Sequence, residues 1–136
     1  MYIAVDPGET TGYALFNSDG AVTEKGKIRG EDPFLDKFEE IAATGTYKVL
    51  IIEAYRSRPG AINAWSKNKT SQTIGAVKRI ARKAGMKIVE QEPNPGLVIG
   101  LKFLGVSHLY PKGKHVPDDI SALAHGTYYL RQQKVL

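Results

Sequence analysis

The sequence predicts an α/β fold in which a mixed β-sheet is flanked by helices. The N-terminal part alternates short apolar runs with turn residues, which is typical of an antiparallel meander. Further along, residues 47–53 form a continuous apolar run, as expected for a parallel strand that is covered on both faces. Segments with helical spacing of apolar residues complete the predicted order β-β-β-α-β-α-β-α-α, which suits a mixed sheet with helices on its faces.

Three strands are expected at the N-terminus. Residues 1–6 have the apolar character of a strand that enters the core, and residues 7–11 form a turn before a second strand at 12–17. The Ser-Asp-Gly sequence at 18–20 favours a hairpin turn that leads into a third strand at 21–28. Together these strands form the antiparallel meander.

The first helix is expected between the start signal Asp32-Pro33 and Gly45, because the apolar residues there have helical spacing. The apolar strand 47–53 follows. Residues 56–67 contain Pro, Gly, Ser and Asn without periodicity and are expected to be a loop. The remaining elements are expected at 70–84 (a helix that ends at Gly85), 86–91 (a strand), 97–104 (a short helix), 105–117 (a loop) and 117–131 (the last helix).

Composition limits the classes of protein and of site. A chain of 136 residues with 42% hydrophobic content suits a single domain, residues 1–136. The absence of cysteine excludes disulfides, thiolate metal sites and cysteine nucleophiles, so any metal ion must bind to carboxylates or histidines. No apolar run approaches the roughly 20 residues that span a bilayer, and no basic region precedes an apolar stretch at the N-terminus. We therefore expect a soluble, cytoplasmic protein that makes no membrane contact.

Positive charge is concentrated in one segment. The formal net charge is +5, and residues 54–89 carry nine basic residues and no acidic one. A solvated helix face is the simple explanation, but such faces usually mix both signs. We therefore expect this segment to face the phosphates of a polyanion. Its basic residues are Arg56, Arg58, Lys67, Lys69, Lys78, Arg79, Arg82, Lys83 and Lys87.

Two acidic residues end predicted strands. Asp6 ends the first strand and Glu53 ends the apolar one, and open α/β sheets build their sites at this end of their strands. Because an acid at the end of an apolar strand is costly to bury without a cation or hydrogen-bond donors, a shared site is expected. Two structural alternatives remain open: Asp6 caps the amides of residues 8–10, and Glu53 pairs with Arg56.

Asp118 and Asp119 begin the last helix, where capping and the helix dipole alone would favour acids. The small residues Ala122 and Ala124 let that helix approach a sheet closely, which would bring its first acids beside the strand-end acids. Three or four acids at one point need a cation, and oxygen-only ligands suit Mg²⁺ or Mn²⁺. Two such ions about 3.5–4 Å apart activate a water and stabilise the leaving oxygen of a phosphodiester.

Three segments resemble the RuvC-type Holliday junction resolvases. IAVDPG at 3–8 with TGYA at 11–14 resembles the family's opening "I-D-P-G…TGYG". LIIE at 50–53 is similar to the strand that carries the family's catalytic glutamate. DDISALA at 118–124 is similar to the closing helix "D-A-L-A-I-A" and also to the "H-D-D…A-L-A" helix of phage terminase nucleases. The order and approximate spacing of the elements match over nearly the whole chain.

The resemblance implies a ribonuclease H-like fold and a metal-dependent, structure-selective endonuclease that cleaves branched DNA with two Mg²⁺ or Mn²⁺ ions. Matching the alanines of the closing helix places Asp119 on the family's most constant C-terminal acid. Val116 then stands where the family has an acid or a histidine, so Asp118 or His115 is expected to substitute, in a histidine-x-x-aspartate spacing. The implied catalytic and metal-binding residues are Asp6, Glu53, Asp118 and Asp119, with His115 as a further candidate ligand.

The same resemblance implies how DNA is held. Tyr55 or Trp65 would stack on bases at the centre of a junction, unless Trp65 packs on the domain surface instead. Lys102 lies where the family tends to have a phosphate-binding lysine, and Lys112 and Lys114 compete with it for that role. The other residues expected to contact phosphates are Arg56, Arg58, Lys67, Lys69, Lys78, Arg79, Arg82 and Lys83.

The expected partner is a four-way DNA junction. Its two-fold symmetry calls for two active sites, so a homodimer is expected, with the helix at 70–84 at its seam by resemblance. The resemblance also implies a bacterial or phage protein that acts in the cytoplasm of a bacterial or phage-infected cell. His108 and His125 have no evident partner in the sequence and are expected to be structural.

Three other functions compete with this interpretation. A nuclease of the same superfamily that acts on flaps, terminase-type DNA ends or structured RNA would carry the same acids. An actin-like ATPase also begins with Asp-x-Gly followed by Thr, but it needs two such domains and a second glycine-rich loop, which 136 residues cannot supply. A catalytically inactive junction-binding module would not need acids at three positions.

Overall fold

The computed structural model describes residues 1–54 and 64–136, with the side chains of all of these except 64–68. The element order matches the predicted one. No helix in these two stretches has the length and apolar character needed to cross a membrane. In chain order the elements are β1 (Tyr2–Asp6), β2 (Thr10–Phe16), β3 (Val22–Arg29), α1 (Glu31–Ala43), β4 (Val49–Glu53), α2 (Ala64–Lys83), β5 (Lys87–Gln91), α3 (Pro93–Phe103), a 3₁₀ turn (Ser107–Leu109) and α4 (Asp118–Gln132).

The strands form one mixed sheet in the order β3-β2-β1-β4-β5. β2 pairs antiparallel with β1 and β3, whereas β4 runs parallel to both β1 and β5. The predicted mixed sheet, an antiparallel meander joined to parallel strands, is thereby confirmed. Because β1, β4 and β5 are parallel, their carboxyl ends lie at one edge of the sheet, which we call the acid edge.

The two faces of the sheet bury different cores. Ile3, Val5, Leu50 and Ile52 pack on one face with residues of α1 and α2. Ala4 and Ile51 point to the other face, where they pack with residues of α4. Because successive side chains of a strand alternate between faces, Asp6 lies on the α4 face with Ala4, and Glu53 lies there with Ile51.

The close approach of α4 to the sheet depends on residues without bulky side chains. A Cβ atom on Gly12 would collide with the backbone carbonyl of Asp118, so the start of α4 lies directly on β2. Ala122 and Ala124 are completely buried, and a Cβ atom on Gly100 of α3 would collide with the backbone of Ala124. The prediction that small residues let the last helix approach the sheet is confirmed for Ala122, which packs with Ala4 and Ile51, whereas Ala124 lies against α3.

The start of α2 differs from the prediction. Residues 64–67 are helical, so the expected loop at 56–67 is wrong in its last part, while residues 55–63 lie outside the described ones. The contacts of α2 with the core come from Ile74, Val77 and Ala81. Residues 64–69 contain one large apolar residue, Trp65, so the sequence of these turns shows no helical periodicity.

The start of α3 also differs. It begins at Pro93, four residues ahead of the predicted start at 97, and a proline is favoured in a first helical turn. Asn94 departs from helical angles within this helix, because the α region is disfavoured for the residue before a proline. The Asn-Pro-Gly sequence therefore bends the beginning of α3 and does not precede it.

Candidate active site

Asp6 and Glu53 lie side by side at the acid edge. Val5 pairs with Ile52 in the parallel register of β1 and β4. Asp6 and Glu53 are the next residues of these two strands and are therefore neighbours. The two carboxyl groups are close enough for the charge of Glu53 to raise the pKa of Asp6. The structure therefore brings together the two acids that the sequence places at strand ends.

The environment of Asp6 disfavours its charged form. Burial, followed by the negative charge of Glu53, raises the pKa of Asp6 from 3.8 to about 8. Asp118 adds to this rise, and the nearby hydroxyl of Ser121 opposes it. The influences on Asp6 thus come from α4 and β4, and not from the turn amides at 8–10. At neutral pH, the Asp6–Glu53 pair holds a proton unless a cation replaces it.

The two adjacent acids of α4 face different partners. Burial raises the pKa of Asp118, His115 and Lys27 oppose that rise, and the charges of Asp119 and Glu53 add to it. In Asp119, burial acts in the same direction, but a hydrogen bond and ion pair with Lys25 of β3 lower its pKa overall. The Lys25 Nζ to Asp119 Oδ2 distance is 2.9 Å. Asp118 is therefore the α4 acid that interacts with the acid pair.

Three further polar residues lie around Glu53. Sequence reasoning expected His125 to be structural and did not single out Ser121 or Gln91. His125 of α4 is fully buried, with Nε2 3.0 Å from Glu53 Oε2 and Nδ1 2.8 Å from Gln91 Oε1. The Ser121 hydroxyl donates to Glu53 Oε2 at 3.4 Å. A signal was present in the sequence, since residues 118, 121 and 125 share one side of a helix. That spacing does not show, however, which strands these three residues contact.

The structure places the other predicted site residues of this region apart from one another. His115 precedes α4 and acts electrostatically on Asp118. Lys102 lies in the last turn of α3, next to Phe103, whose ring centroid is 4.8 Å from the guanidinium carbon of Arg131 in the last turn of α4. Since α4 rises about 1.5 Å per residue, Arg131 is about 20 Å along the helix from Asp118. Lys102 thus lies toward the far end of α4.

The second half of α2 lies away from the acids. Val77 and Ala81 pack on the face of the sheet opposite α4. The last turn, with Arg82 and Lys83, leads into β5 at the sheet edge opposite the acid edge. Arg79, Arg82 and Lys83 are exposed, and Lys78 forms an ion pair with Glu90.

The first half of α2 comes closer to the acids. Lys69 lines a surface cleft with Thr70, Gly8 of the β1–β2 turn and Arg29 at the end of β3. This cleft is next to the turn that follows Asp6. Tyr55, Arg56 and Arg58 lie outside the described residues, and the side chains of Trp65 and Lys67 are also not described.

Basic residues on β3 form a second positive surface that sequence reasoning missed. Lys25, Lys27 and Arg29 alternate along this strand and therefore share one face. Lys27 pairs with Gly12, which in turn pairs with Asp6, so Lys27 is in the same row across the sheet as the acid pair. The alternation is visible in the sequence, but the neighbouring strands are not.

The donor chemistry of the acids fits a divalent cation. Asp6, Glu53 and Asp118 offer carboxylate oxygens, which Mg²⁺ and Mn²⁺ prefer, and the raised pKa of Asp6 indicates a deficit of positive charge. Among residues 1–54 and 64–136, however, no group of three or more acidic or histidine side chains is already arranged as a metal cage.

The chain resembles known proteins in its structure and not in its sequence. No protein-family model and no curated protein matches the sequence. Among solved structures, Thermus thermophilus RuvC in complex with a Holliday junction substrate is similar, with a TM-score of 0.69 and 14% identity over 96% of this chain and 94% of that one. The chain has the fold of the RuvC-type Holliday junction resolvases.

Two resolvases of other origins share the RuvC fold. The Fowlpox virus resolvase, solved with Holliday junction DNA, has a TM-score of 0.63 and 14% identity over 97% of this chain and 99% of that one. The yeast mitochondrial Holliday junction resolvase Ydc2 has a TM-score of 0.57 and 14% identity over 98% of this chain and 79% of that one. The predicted ribonuclease H-like fold is therefore confirmed.

The raised pKa of Asp6 predicts that the metal-free protein loses stability as the pH rises. The folded protein keeps the Asp6 proton up to about pH 8, whereas the unfolded chain loses it near 3.8. Between these values the folded state binds more protons, so the free energy of unfolding falls with increasing pH. Urea denaturation in EDTA at about pH 5 and pH 8 measures this fall, and Asp6→Asn should reduce it.

Asp119→Asn is the matched control for this measurement. Because the pKa of Asp119 is lowered, its contribution to stability is present above the unfolded value near 3.8 and is lost only below it. Its substitution should therefore change stability equally at both pH values. An Asp6→Asn protein whose stability falls between them as much as that of the wild type would contradict the assignment of the pKa to Asp6.

Proposed function

We propose that this chain is a divalent-metal-dependent endonuclease that cleaves branched DNA, with the four-way junction as its substrate. The observation that carries the proposal is the convergence of Asp6, Glu53 and Asp118 at one edge of a sheet with the RuvC fold. Similar structures were solved with Holliday junction DNA, which supports this substrate. The whole of residues 1–136 would act as one nuclease domain.

Asp6, Glu53 and Asp118 are proposed to hold one or two Mg²⁺ or Mn²⁺ ions, with His115 as a further candidate ligand. The ions, when bound, would polarise the scissile phosphodiester and make a water more acidic. Ser121 holds Glu53 through its hydroxyl. Asp119 is the weaker candidate ligand, because it is engaged by Lys25 and would position that lysine beside the acids.

The basic residues around the acid edge are proposed to bind DNA phosphates. Lys27 and Arg29 on β3 and Lys69 on α2 lie close to this edge. Tyr55, Arg56 and Arg58 follow Glu53 within five residues of the sequence. Tyr55 or Trp65 is proposed to stack on unpaired bases at the branch point. Lys67 is proposed to bind phosphates as well. The more distant Lys78, Arg79, Arg82, Lys83 and Lys102 would extend this surface along the arms of the junction.

A homodimer is proposed because two symmetric incisions need two active sites. A surface groove between α1 and α2 supports this arrangement. Its apolar part is formed by Leu35, Ala42, Ala76 and Ile80, and Arg79 and Lys83 lie at its border. A second copy packed here would leave the acid edge of each protomer open.

The experiment that tests the proposed function is a digestion of labelled four-way junction, flap, duplex and RNA–DNA hybrid in Mg²⁺. Paired symmetric cuts in the junction are expected, with little cleavage of duplex. Cleavage of flaps, duplex ends or structured RNA instead would favour the alternative nuclease of the same fold. Absence of cleavage of all substrates in both Mg²⁺ and Mn²⁺ would contradict the proposal.

Substitution of the three central acids should abolish cleavage. Asp6→Asn, Glu53→Gln and Asp118→Asn each remove a charge that holds a cation, so we expect a loss of more than about 100-fold in rate, above the range for residues that only support a ligand. Junction binding in EDTA, measured by gel shift, should change little. Asp119→Asn should retain most activity, and near wild-type cleavage by Asp6→Asn would refute the proposed site.

The basic surface should give a steep salt dependence of junction binding. Each phosphate contact contributes a slope near −0.9 to log K against log salt on duplex DNA. We expect Lys27→Gln with Arg29→Gln to flatten the slope and also to slow cleavage, because these residues border the acids. Arg82→Gln with Lys83→Gln should flatten the slope and leave cleavage at saturating protein unchanged. An unchanged slope in either double variant would show that its residues are only a solvated face.

A further inference from the structure

A buried chain of side chains connects β5 to the acid pair through α4. Gln91 ends β5, His125 lies in α4 and Glu53 ends β4, so three elements each contribute one residue. The His125 ring contacts Gln91 Oε1 at 2.8 Å through Nδ1 and Glu53 Oε2 at 3.0 Å through Nε2. His125 has no exposed surface. An apolar residue would fill such a core position without the cost of burying two polar atoms, so the imidazole needs an explanation.

The surrounding backbone is adapted to this ring. A Cβ atom on Gly96 of α3 would lie 2.7 Å from both His125 Nδ1 and Gln91 Oε1. Any larger residue at 96 would therefore push against the contact between the ring and the amide. The absence of a side chain at Gly96 thus leaves room for the contact between His125 and Gln91.

Two donors from α4 converge on the same oxygen of Glu53. Ser121 donates its hydroxyl to Oε2, and His125 contacts Oε2 through Nε2. A neutral imidazole has one N–H, so the tautomer that donates from Nε2 to Glu53 Oε2 leaves Nδ1 as an acceptor. The Gln91 amide matches this tautomer when its NH₂ group, and not its oxygen, faces Nδ1. Fixing Oε2 from two positions one helical turn apart restrains the rotation of the Glu53 carboxylate beside Asp6.

We propose that His125 is a positioning residue, which donates from Nε2 to Glu53 Oε2 and holds this carboxylate in the orientation that receives a divalent cation. Gln91 in turn holds the ring through Nδ1. The inference rests on the proposed function, because it takes Glu53 as a metal ligand. Residues that orient metal ligands in this way typically change metal affinity or activity by about 10–100-fold when substituted.

The test separates orientation from packing with two substitutions at one position. His125→Leu fills the core without a donor, and His125→Gln retains an amide N–H near the position of Nε2. Mg²⁺ binding to the metal-free protein, measured by calorimetry, is the first readout, and the Mg²⁺ concentration for half-maximal junction cleavage is the second. We expect His125→Leu to weaken both by about 10–100-fold and His125→Gln to restore most of the loss.

Two further variants serve as controls. Leu130→Val removes a methylene from another completely buried position of α4, so it should lower stability and leave Mg²⁺ affinity unchanged. Gln91→Leu leaves the His125–Glu53 contact in place and releases the other side of the ring, so a smaller loss of Mg²⁺ affinity is expected. This variant decides the matter if His125→Leu does not fold.

The outcomes distinguish this inference from the function on which it rests. Wild-type Mg²⁺ affinity in His125→Leu, or in Gln91→Leu if the first variant does not fold, would show that the histidine only fills the core and would overturn the inference alone. Failure of His125→Gln to recover affinity would also overturn it. A wild-type protein that binds no Mg²⁺ would overturn both the inference and the proposed metal site.

Discussion

The arrangement of this site depends on the burial of two carboxyl groups at the ends of adjacent parallel strands. Asp6 and Glu53 are neighbours because β1 and β4 are in register. Side chains alternate between the two faces along each strand, which places both carboxyl groups on the face that α4 covers. Burial and, after it, the negative charge of Glu53 raise the pKa of Asp6 to about 8. A proton or a cation must therefore occupy the pair. The hydroxyl of Ser121 and the ring of His125 are directed at the same point from α4.

The position of α4 decides which other groups reach the pair. Its first turn lies on β2 because Gly12 has no side chain in the way, and buried alanines keep the rest of the helix close to the sheet. Consecutive residues of a helix are about 100° apart, so only one of two adjacent acids can face the sheet edge. Asp118 takes that direction, and Asp119 is turned toward Lys25 on the outer strand.

Sequence reasoning succeeded where a signal is local. The meander, the covered strand and the acids that end β1 and β4 follow from apolar runs and their terminations, and all of these lie where they were expected. It missed contacts between distant segments, such as His125 with Glu53, which are 72 residues apart. The choice between Asp118 and Asp119 stayed open in the sequence, because an alignment of small residues carries no information on helix rotation. Lys27 was overlooked because it comes near Asp6 only through the pairing of β3 with β2 and of β2 with β1.

The central claim is that a divalent cation replaces the proton that the Asp6–Glu53 pair shares. Calorimetric titration of the metal-free protein with Mg²⁺, in buffers of different ionisation enthalpy, measures that exchange directly. Binding of the first ion near pH 7 should release about one proton, and near pH 9.5 almost none, because Asp6 has then already ionised. A binding heat that is independent of the buffer at pH 7, or Mg²⁺ affinity that Asp6→Asn leaves unchanged, would contradict this account.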